Sequence, residues 1–231
     1  IFDNLTYGVN AINASFSVTA TAFQSPHLQS SGGGIFNIPT IGGYGINTSN
    51  PTPRYYPAMY VNNNQFIGMI RGINSSYYDR YVIINNKFWS KQSVPGNAIP
   101  LIPLAGTYGA YIKTARFDAA NISNNTLVNI NNGIDFVIDA NIGNGYATGA
   151  NGELVGPITI ATNTFSAQFA NFVTPANPYI GNAIVVDNVV VPPNPHAPNM
   201  VRASSISINN NIINDAFRGI LVRNQQYQEV R

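Results

Sequence analysis

The chain has 231 residues, 45% of them hydrophobic, which is enough to fill one sizeable core and to form one β-rich domain. Only 9% of the residues are charged, against about a quarter in an ordinary soluble domain, and the few Lys and Arg are spread singly, which argues against nucleic acid as a partner. The net charge is +2, and the absence of cysteine excludes disulfide bonds and thiolate metal sites.

The longest apolar run, 183–191, is interrupted by Asp187 and Asn188, so no segment reaches the ~18 apolar residues that a membrane-spanning helix needs. Asparagine occupies 34 positions and glycine 20. A β protein with so little charge, no cysteine and so much asparagine suits the exterior of a bacterium or a phage. We therefore expect it to be extracellular, at a cell surface or on a virion exterior.

Taken in chain order, one pattern of slots recurs along the sequence. It reads apolar, any, apolar, two of any kind, Asn, any, large apolar, and then Gly six positions later, as in Met59, Val61, Asn64, Phe66 and Gly72. The large apolar slot is filled by Phe2, Phe23, Phe66, Phe88, Leu127, Phe165 and Ile213. Its shortest spacings are 21 and 22 residues, so about 22 residues make one coil of a repeating structure.

The spacing inside one unit predicts two short strands joined by a bend. Apolar residues two positions apart point to one face of a strand, and the odd step to the next apolar slot requires a change of direction. Asn lies at that bend, where it tolerates the left-handed region and where amide side chains of successive coils can stack as a ladder. Gly at the second corner is expected to adopt a positive φ before the next strand.

The longer spacings predict the same unit with insertions, expected near 26–57, 90–108, 141–157, 171–181 and 189–203. All 15 prolines lie outside the repeated slots, as a hydrogen-bonded ladder requires. The sequence begins inside one coil at Phe2 and stops at Arg231 soon after another. We therefore expect 1–231 to be a single segment of a longer chain, with the rest of that chain or partner subunits covering both ends.

The slots resemble the repeat of right-handed parallel β-helix proteins, which include pectate-lyase-like enzymes, phage tail spikes and Asn-rich proteins exported by bacteria such as the Bacteroidota. The resemblance covers nearly the whole chain and implies an all-β solenoid of about seven coils. Such proteins include lyases, hydrolases, epimerases, adhesins and structural stalks, so the fold does not select a function.

The enzyme members of this family have recognisable catalytic residues. Pectate lyases imply acidic residues that hold calcium plus a basic Arg or Lys, and polygalacturonases imply paired aspartates with Gly-His-Gly. The sequence has neither adjacent aspartates nor Gly-His-Gly, so no catalytic residue is transferred and we expect a protein that is not an enzyme.

One charged cluster is the candidate catalytic site if the chain is an enzyme after all. Asp135 and Asp139 share a face of one predicted strand, and Asp187 follows one coil later. Lys113 and Arg223 end the comparable strands of the flanking coils. Such carboxylates and cations suit acid–base work on an acidic sugar, or calcium binding in a lyase-like site. The alternative is a solvated face with alternating charges, and no other cofactor or metal is predicted.

Arginines and aromatic residues are the candidates for ligand binding. Arg71 and Arg218 occupy the same slot before Gly, where guanidinium groups suit acidic glycans, or else simply keep a corner soluble. Aromatic faces stack on sugar rings, although loop aromatics also anchor loops to the wall of a solenoid. The best candidates flank neighbouring coils: Tyr55, Tyr56, Tyr77, Tyr78 and Trp89. Further tyrosines in or beside the insertions are Tyr44, Tyr108, Tyr146 and Tyr179.

Three functions fit these expectations. The favoured one is a structural or recognition segment of a large secreted or cell-surface protein, such as an adhesin, whose loops contact glycans or neighbouring proteins. The second is a polysaccharide lyase or hydrolase, including a phage tail-spike depolymerase. The third is a structural segment of a trimeric virion fibre, in which the low charge reflects surface buried between chains.

Overall fold

The computed structural model describes residues 2–3, 7–24, 42–50, 57–89, 108–114, 117–128, 130–139, 154–166, 180–188, 202–214, 216–223 and 229–230. Within these residues all regular secondary structure is β, and most of it lies in three parallel sheets of seven strands each. No helix in the described part of the chain is long and apolar enough to cross a membrane.

Each of the three sheets collects its short strands from the whole length of the chain. Sheet A contains β1 (Phe2–Asp3), β4 (Ala22–Gln24), β7 (Gln65–Ile67), β10 (Lys87–Trp89), β13 (Thr126–Val128), β17 (Thr164–Ser166) and β21 (Ile212–Ile213). Sheet B contains β2 (Tyr7–Ile12), β5 (Gly42–Ser49), β8 (Met69–Ser76), β11 (Tyr108–Thr114), β14 (Asn132–Ile138), β18 (Ile180–Asn188) and β22 (Ala216–Arg223). Sheet C contains β3 (Phe16–Thr19), β6 (Ala58–Asn62), β9 (Arg80–Ile84), β12 (Ala119–Ser123), β16 (Ile158–Ala161), β20 (Ile206–Asn209) and β23 (Glu229–Val230). A short parallel pair joins β15 (Leu154–Val155) to β19 (Arg202–Ala203).

The chain enters sheets A, B and C in turn, so each circuit adds one strand to each of them. This order confirms that the chain is all-β and built of parallel strands, and it is consistent with the predicted parallel β-helix. Buried aliphatic and aromatic side chains from all three sheets meet in one core. Burial of each large apolar side chain stabilises the fold by about 1.5–3 kcal/mol.

The predicted large apolar slots lie in register along the middle of sheet A. The paired residues run Phe2, Phe23, Phe66, Phe88, Leu127, Phe165 and Ile213, one from each strand. The rings of Phe23, Phe66 and Phe88 stack at centroid distances of 5.0 and 4.8 Å and within 7° of parallel. Such pairs add about 0.5–1.5 kcal/mol beyond area burial. From Phe23 to Ile213 the recurring slot is therefore one continuous column of the core.

The corner between sheets C and A contains the predicted asparagine ladder. Asn64, Asn86, Asn125, Asn163 and Asn211 stack so that each Nδ2 donates to the Oδ1 of the next asparagine at 3.0–3.1 Å. Each Oδ1 beyond the first also accepts the backbone N–H of the preceding ladder residue, and each Nδ2 also donates to a backbone carbonyl of the preceding circuit. These amide groups are thus satisfied inside the protein, as buried polar groups must be.

The left-handed backbone lies one residue before the ladder. The positive-φ residues at this corner are Ala20, Asn63, Asn85, Asn124, Thr162 and Asn210, with φ between 52° and 58°. The sequence prediction assigned both roles to one asparagine, whereas the structure divides them between two neighbours. Ala and Thr fill the left-handed position in two of the six corners, so the bend tolerates non-Asn residues there.

The slot glycines have a different role from the one predicted. They lie within the strands of sheet B, and the one described glycine with a positive φ is Gly68. A Cβ atom on Gly72 would lie 2.4 Å from Cδ1 of Phe88, and one on Gly45 would lie 2.5 Å from Cδ1 of Phe66. The prediction of a positive φ was wrong because these glycines are needed to make room for the sheet A aromatic column, not to turn the chain.

One predicted insertion contains a strand of a seven-stranded sheet. The stretch 26–57 includes β5, which pairs with β2 on one side and β8 on the other, so this part belongs to sheet B. Strand residues also occur at the ends of the other predicted insertions, in β11, β15, β18 and β19. The remaining parts of the five stretches lie largely outside the described residues.

Candidate functional site

The outer face of sheet B carries a row of aromatic residues interrupted by one arginine. Tyr7, Tyr44, Arg71 and Tyr108 occupy the same register position on the neighbouring strands β2, β5, β8 and β11. Tyr111 lies three residues after Tyr108 on β11 and pairs with Asn74 of β8. All five side chains are partly or well exposed, and Tyr7 is 42% exposed. We call these five residues the Tyr–Arg strip.

Arg71 contacts tyrosine rings on both sides. Its Cζ atom lies 5.7 Å from the ring centroid of Tyr44, 5.0 Å from that of Tyr108 and 4.2 Å from that of Tyr111. A guanidinium within about 6 Å of an aromatic centroid is attracted to the ring by about 0.5–1 kcal/mol at an exposed site. Arg71 Nη1 also donates a hydrogen bond of 2.5 Å to Asn74 Oδ1. The arginine is therefore held in one orientation.

Amide side chains form a second, outer ladder beside the strip. Asn74 Nδ2 donates to Asn47 Oδ1 at 2.7 Å, and Asn47 Nδ2 donates to Asn10 Oδ1 at 3.0 Å. Because Asn74 also accepts from Arg71, this ladder fixes the arginine relative to three strands. The strip and the outer ladder together present partly exposed tyrosine side chains, one cation and amide groups on a hydrogen-bonded surface.

The five charged candidates from the sequence lie on the same face, nearer the chain's other end. Lys113 Nζ lies 2.9 Å from Asp139 Oδ2, and Arg223 Nη2 lies 2.6 Å from Asp187 Oδ2. Val137 pairs with Lys113 on one side and Asp187 on the other, which places the two ion pairs around it. The structure therefore brings these charged groups together on one face of sheet B.

Asp135 is the carboxyl of this group with a shifted acidity. It pairs with Tyr111 and Val185 on the neighbouring strands. Burial, with the nearby Asp187 carboxylate second, raises the pKa of Asp135 to about 6, against the opposing effects of Arg223 and Arg71. Burial, followed by the Asp135 charge, also raises the pKa of Tyr108. The acidic group and the Tyr–Arg strip are thus electrostatic neighbours.

The two ion pairs restrict what the charged group can do. The carboxylates of Asp139 and Asp187 each contact a cation, and the Asp139 carboxylate, with hydrogen bonding first and its charge in support, raises the pKa of Lys113. In the described part of the chain no group of three or more His, Cys, Asp or Glu side chains could hold a metal ion. Asp135 is suited to proton transfer, because burial raises its pKa to about 6.

The aromatic candidates from the sequence separate in space. Tyr78 is fully buried, its hydroxyl donates to the carbonyl of Ala14 at 2.8 Å, and burial raises its pKa to about 12. It belongs to the core and offers no face to a ligand, because residue 78 turns inward after the left-handed Tyr77 (φ 63°). Tyr77 is partly exposed beside Lys113.

The remaining candidates do not form one site. Trp89 lies on sheet A, where Lys87 Nζ is 4.7 Å from its ring centroid. Arg218 is exposed in the same register column as Arg71, but its neighbour in that column is Asn182 rather than a tyrosine. Tyr55 and Tyr56 lie outside the described residues.

Sequence reasoning missed the strip because it assigned Tyr44 and Tyr108 to insertions and gave Tyr7 and Tyr111 no role. A signal was present. The residue before the slot glycine is Tyr in Tyr7-Gly8, Tyr44-Gly45 and Tyr108-Gly109, and Arg in Arg71-Gly72. Alignment on the glycines alone would have placed all four side chains in one column.

Comparison with known proteins adds no family to this description. The sequence matches no protein-family model, and neither the curated proteins nor the solved structures include a significant match to it.

Proposed function

We propose that this chain is a scaffold segment of a large secreted or cell-surface protein that recognises glycans through the outer face of sheet B. The observation that carries the proposal is the position of Arg71, fixed between Tyr44 and Tyr108 on a continuous hydrogen-bonded sheet. Sugar rings stack on aromatic faces, and their hydroxyls exchange hydrogen bonds with amide side chains such as those of the outer Asn ladder.

The scaffold in this proposal is a right-handed parallel β-helix of seven coils, in keeping with the family that the sequence resembles. Support for the hand comes from the strong preference for right-handed crossovers between parallel strands of one sheet. Support for the coil count comes from the seven strands found in each of the three sheets. A rigid column of this kind holds surface groups at fixed spacing, which lowers the entropy that binding would cost.

The experiment is gel filtration of the protein with a panel of neutral and acidic polysaccharides, followed for co-elution and for polymer length. Co-elution with intact polymer is expected. It should weaken several-fold when Tyr44 or Tyr108 is replaced by Ala, because each variant loses a tyrosine surface against which a sugar ring packs. The matched control is Tyr60→Ala, which removes a tyrosine that is 39% exposed on sheet C. Absence of co-elution with every polymer would contradict the proposal.

A polysaccharide lyase or hydrolase is the second candidate, and the raised pKa of Asp135 beside the ion-paired Asp187 favours it. A carboxyl with a raised pKa beside a second carboxyl in an ion pair is the kind of arrangement that glycoside hydrolysis uses. Shortened polymer in the same experiment would support this function. Shortening that persists unchanged in Asp135→Asn and Asp187→Asn would exclude these residues from the chemistry.

A further inference from the structure

The Tyr–Arg strip has an uneven charge pattern along the stack of strands. Arg71 is its one cation, with uncharged aromatic rings on the strands to either side. Among the other basic groups described on this face, Lys113 is paired with Asp139 and Arg223 with Asp187, and Arg218 lies four strands away in the same register column. Beyond Tyr111 the next strand presents Asp135, which bounds the strip with a carboxyl. A ligand lying on the strip would therefore meet one positive position between uncharged ones.

The spacing of the strip suits a linear sugar chain laid across the strands. Neighbouring parallel strands are about 4.8 Å apart. That distance is close to the length which one pyranose ring adds to an extended polysaccharide. A chain running along the stack could thus place successive rings near Tyr44, Arg71 and Tyr108.

Arg71 has hydrogen-bonding capacity to spare for such a ligand. Its guanidinium carries several N–H donors in a planar fork. Among the described residues its hydrogen bond is the one from Nη1 to Asn74 Oδ1. The planar fork matches a carboxylate in two-point contact better than it matches any uncharged sugar group.

We propose that the strip binds an acidic heteropolysaccharide in which a carboxylated sugar seated at Arg71 is flanked by uncharged sugars that pack against the exposed parts of Tyr44 and Tyr108. This rests on the proposed glycan recognition and names the ligand class for the same surface. The uncharged flanks exclude a polymer with a carboxylate on every sugar, because its neighbouring charges would lose their water against tyrosine rings without gaining a partner. At the edge of the strip beyond Tyr111, the Asp135 carboxylate would also repel the carboxylates of such a polymer.

The test measures affinities for three soluble probes by calorimetry at fixed salt. Hyaluronan oligosaccharides alternate carboxylated and uncharged sugars, polygalacturonate oligosaccharides carry a carboxylate on every sugar, and dextran oligosaccharides carry none. Hyaluronan is expected to bind at least tenfold more tightly than either of the others. Carboxyl-reduced hyaluronan should fall to the level of dextran.

Substitutions distinguish binding at the Tyr–Arg strip from a general electrostatic attraction of the protein for acidic polymers. Arg71→Gln should bring hyaluronan down to the dextran level, and Arg71→Lys, which keeps the charge but loses the fork, should recover only part of the difference. Arg80→Gln, which removes an exposed arginine from sheet C, is the control and should leave the three affinities unchanged. Thermal unfolding of each variant establishes that a loss of binding is not a loss of folding.

The outcomes distinguish this inference from the proposed function. Equal or tighter binding of polygalacturonate, or of poly-glutamate used as a non-sugar polyanion, would overturn the alternating pattern. Preference for dextran with no response to Arg71→Gln would overturn it while leaving glycan recognition in place. Failure of all sugar probes and of the wider polysaccharide panel would overturn both.

Discussion

Asparagines in this chain are chemically identical but differ widely in energetic role. Asn125 is buried in the ladder, where its amide makes four hydrogen bonds, two as acceptor from Asn86 and two as donor to Ile83 and Asn163. Asn121, four residues earlier, points outward from β12 and is exposed. A buried donor or acceptor that loses its partner costs about 1–3 kcal/mol, whereas an exposed one recovers water.

We therefore expect Asn125→Ala to lower the free energy of unfolding by about 3–5 kcal/mol, since it leaves the backbone N–H and the amide of Asn86 and the carbonyl of Ile83 without these partners. Asn121→Ala, the matched control, should change it by no more than about 0.5 kcal/mol. Urea unfolding followed by the fluorescence of the single tryptophan, Trp89, measures both. Similar losses from the two variants would show that the ladder is not a special source of stability.

The raised pKa of Asp135 makes a prediction about pH. Its ordinary value is 3.8 and its folded value about 6, so the folded state holds this proton more tightly than the unfolded chain does. This tighter proton binding adds to the free energy of unfolding. The added stability is fully present below pH ~4 and is lost as the pH rises through ~6. Replacing Asp135 by Asn removes that dependence. The variant should be about 1–2 kcal/mol more stable than the parent at pH 7.5 and nearly equal at pH 3.5.

Equilibrium unfolding at a series of pH values between 3.5 and 7.5 tests this difference. NMR titration of the Asp135 carboxyl provides an independent readout. Because the Asp187 charge contributes to the shift, Asp187→Asn should lower the pKa of Asp135. A titration midpoint near 4 in the parent protein, or parallel stability curves for parent and Asp135→Asn, would refute the assignment.

Much of the fold could be predicted from the sequence because the residues at its repeated positions each contribute strongly to stability through contacts with the neighbouring circuit. Phe66 and Phe88 need a shared core column, and Asn64 and Asn86 need each other's amides, so they recur at regular spacing. The left-handed corners were harder to place, since Ala20 and Thr162 adopt the same backbone as Asn63 without a distinctive residue type. The strip was missed for a related reason. Its tyrosines lie on the outer surface, and neither strand pairing nor core packing requires a tyrosine at these positions.

At the scale of one strand, the slot glycines connect sheet B to the aromatic column of sheet A. Gly72 approaches both the Phe88 ring and the Gly109 carbonyl, so a methyl group there would meet Cδ1 at 2.4 Å and the carbonyl oxygen at 2.8 Å. Gly219 occupies the same slot in β22, but the nearest atom to its Cβ position would be Ile213 Cδ1 at 3.8 Å. At Gly72 a small residue is thus required because the Phe88 ring and the neighbouring strand both press on this position.

We expect Gly72→Ala to destabilise the protein by about 2–3 kcal/mol, because backbone and ring must both shift. Gly219→Ala should be neutral or stabilising by up to about 1 kcal/mol, because alanine reduces the freedom of the unfolded chain at a site where it fits. Thermal unfolding by circular dichroism compares the two. Equal destabilisation would indicate that the glycines serve the strand backbone rather than the space beside Phe88.

Strand β5 shows why predicted boundaries were less accurate than predicted slots. Its sequence, Gly42–Ser49, contains Tyr-Gly-Ile where the neighbouring strands have Tyr-Gly-Val and Arg-Gly-Ile, but the prolines and glycines around it favour a loop when each residue is judged by its own preference. Pairing with β2 and β8 supplies hydrogen bonds on both edges, which outweigh that preference. Propensity in strands depends on such tertiary context.

Across the whole molecule, each strand contacts mainly the strands of the preceding and following circuits, so interactions run in one dimension along the stack. The asparagine ladder allows this one-dimensional pattern of interactions to be measured. Within the ladder, each asparagine is hydrogen-bonded only to the asparagines immediately before and after it. Asn86 and Asn125 share two direct bonds. Asn64 and Asn163 lie three steps apart, roughly 14 Å at the usual strand spacing, and have no ladder partner in common.

Double-mutant cycles should therefore give opposite results for the two pairs. Alanine at both Asn86 and Asn125 should cost about 1–2 kcal/mol less than the sum of the single losses, because the second substitution removes groups that the first has already left unpaired. Alanine at both Asn64 and Asn163 should be additive within about 0.5 kcal/mol. Urea unfolding of the parent and of the single and double variants provides the measurement. Strong coupling between Asn64 and Asn163 would mean that the ladder behaves as one cooperative unit. Additive losses at Asn86 and Asn125 would mean that the hydrogen bonds between their side chains contribute little to the stability of neighbouring circuits.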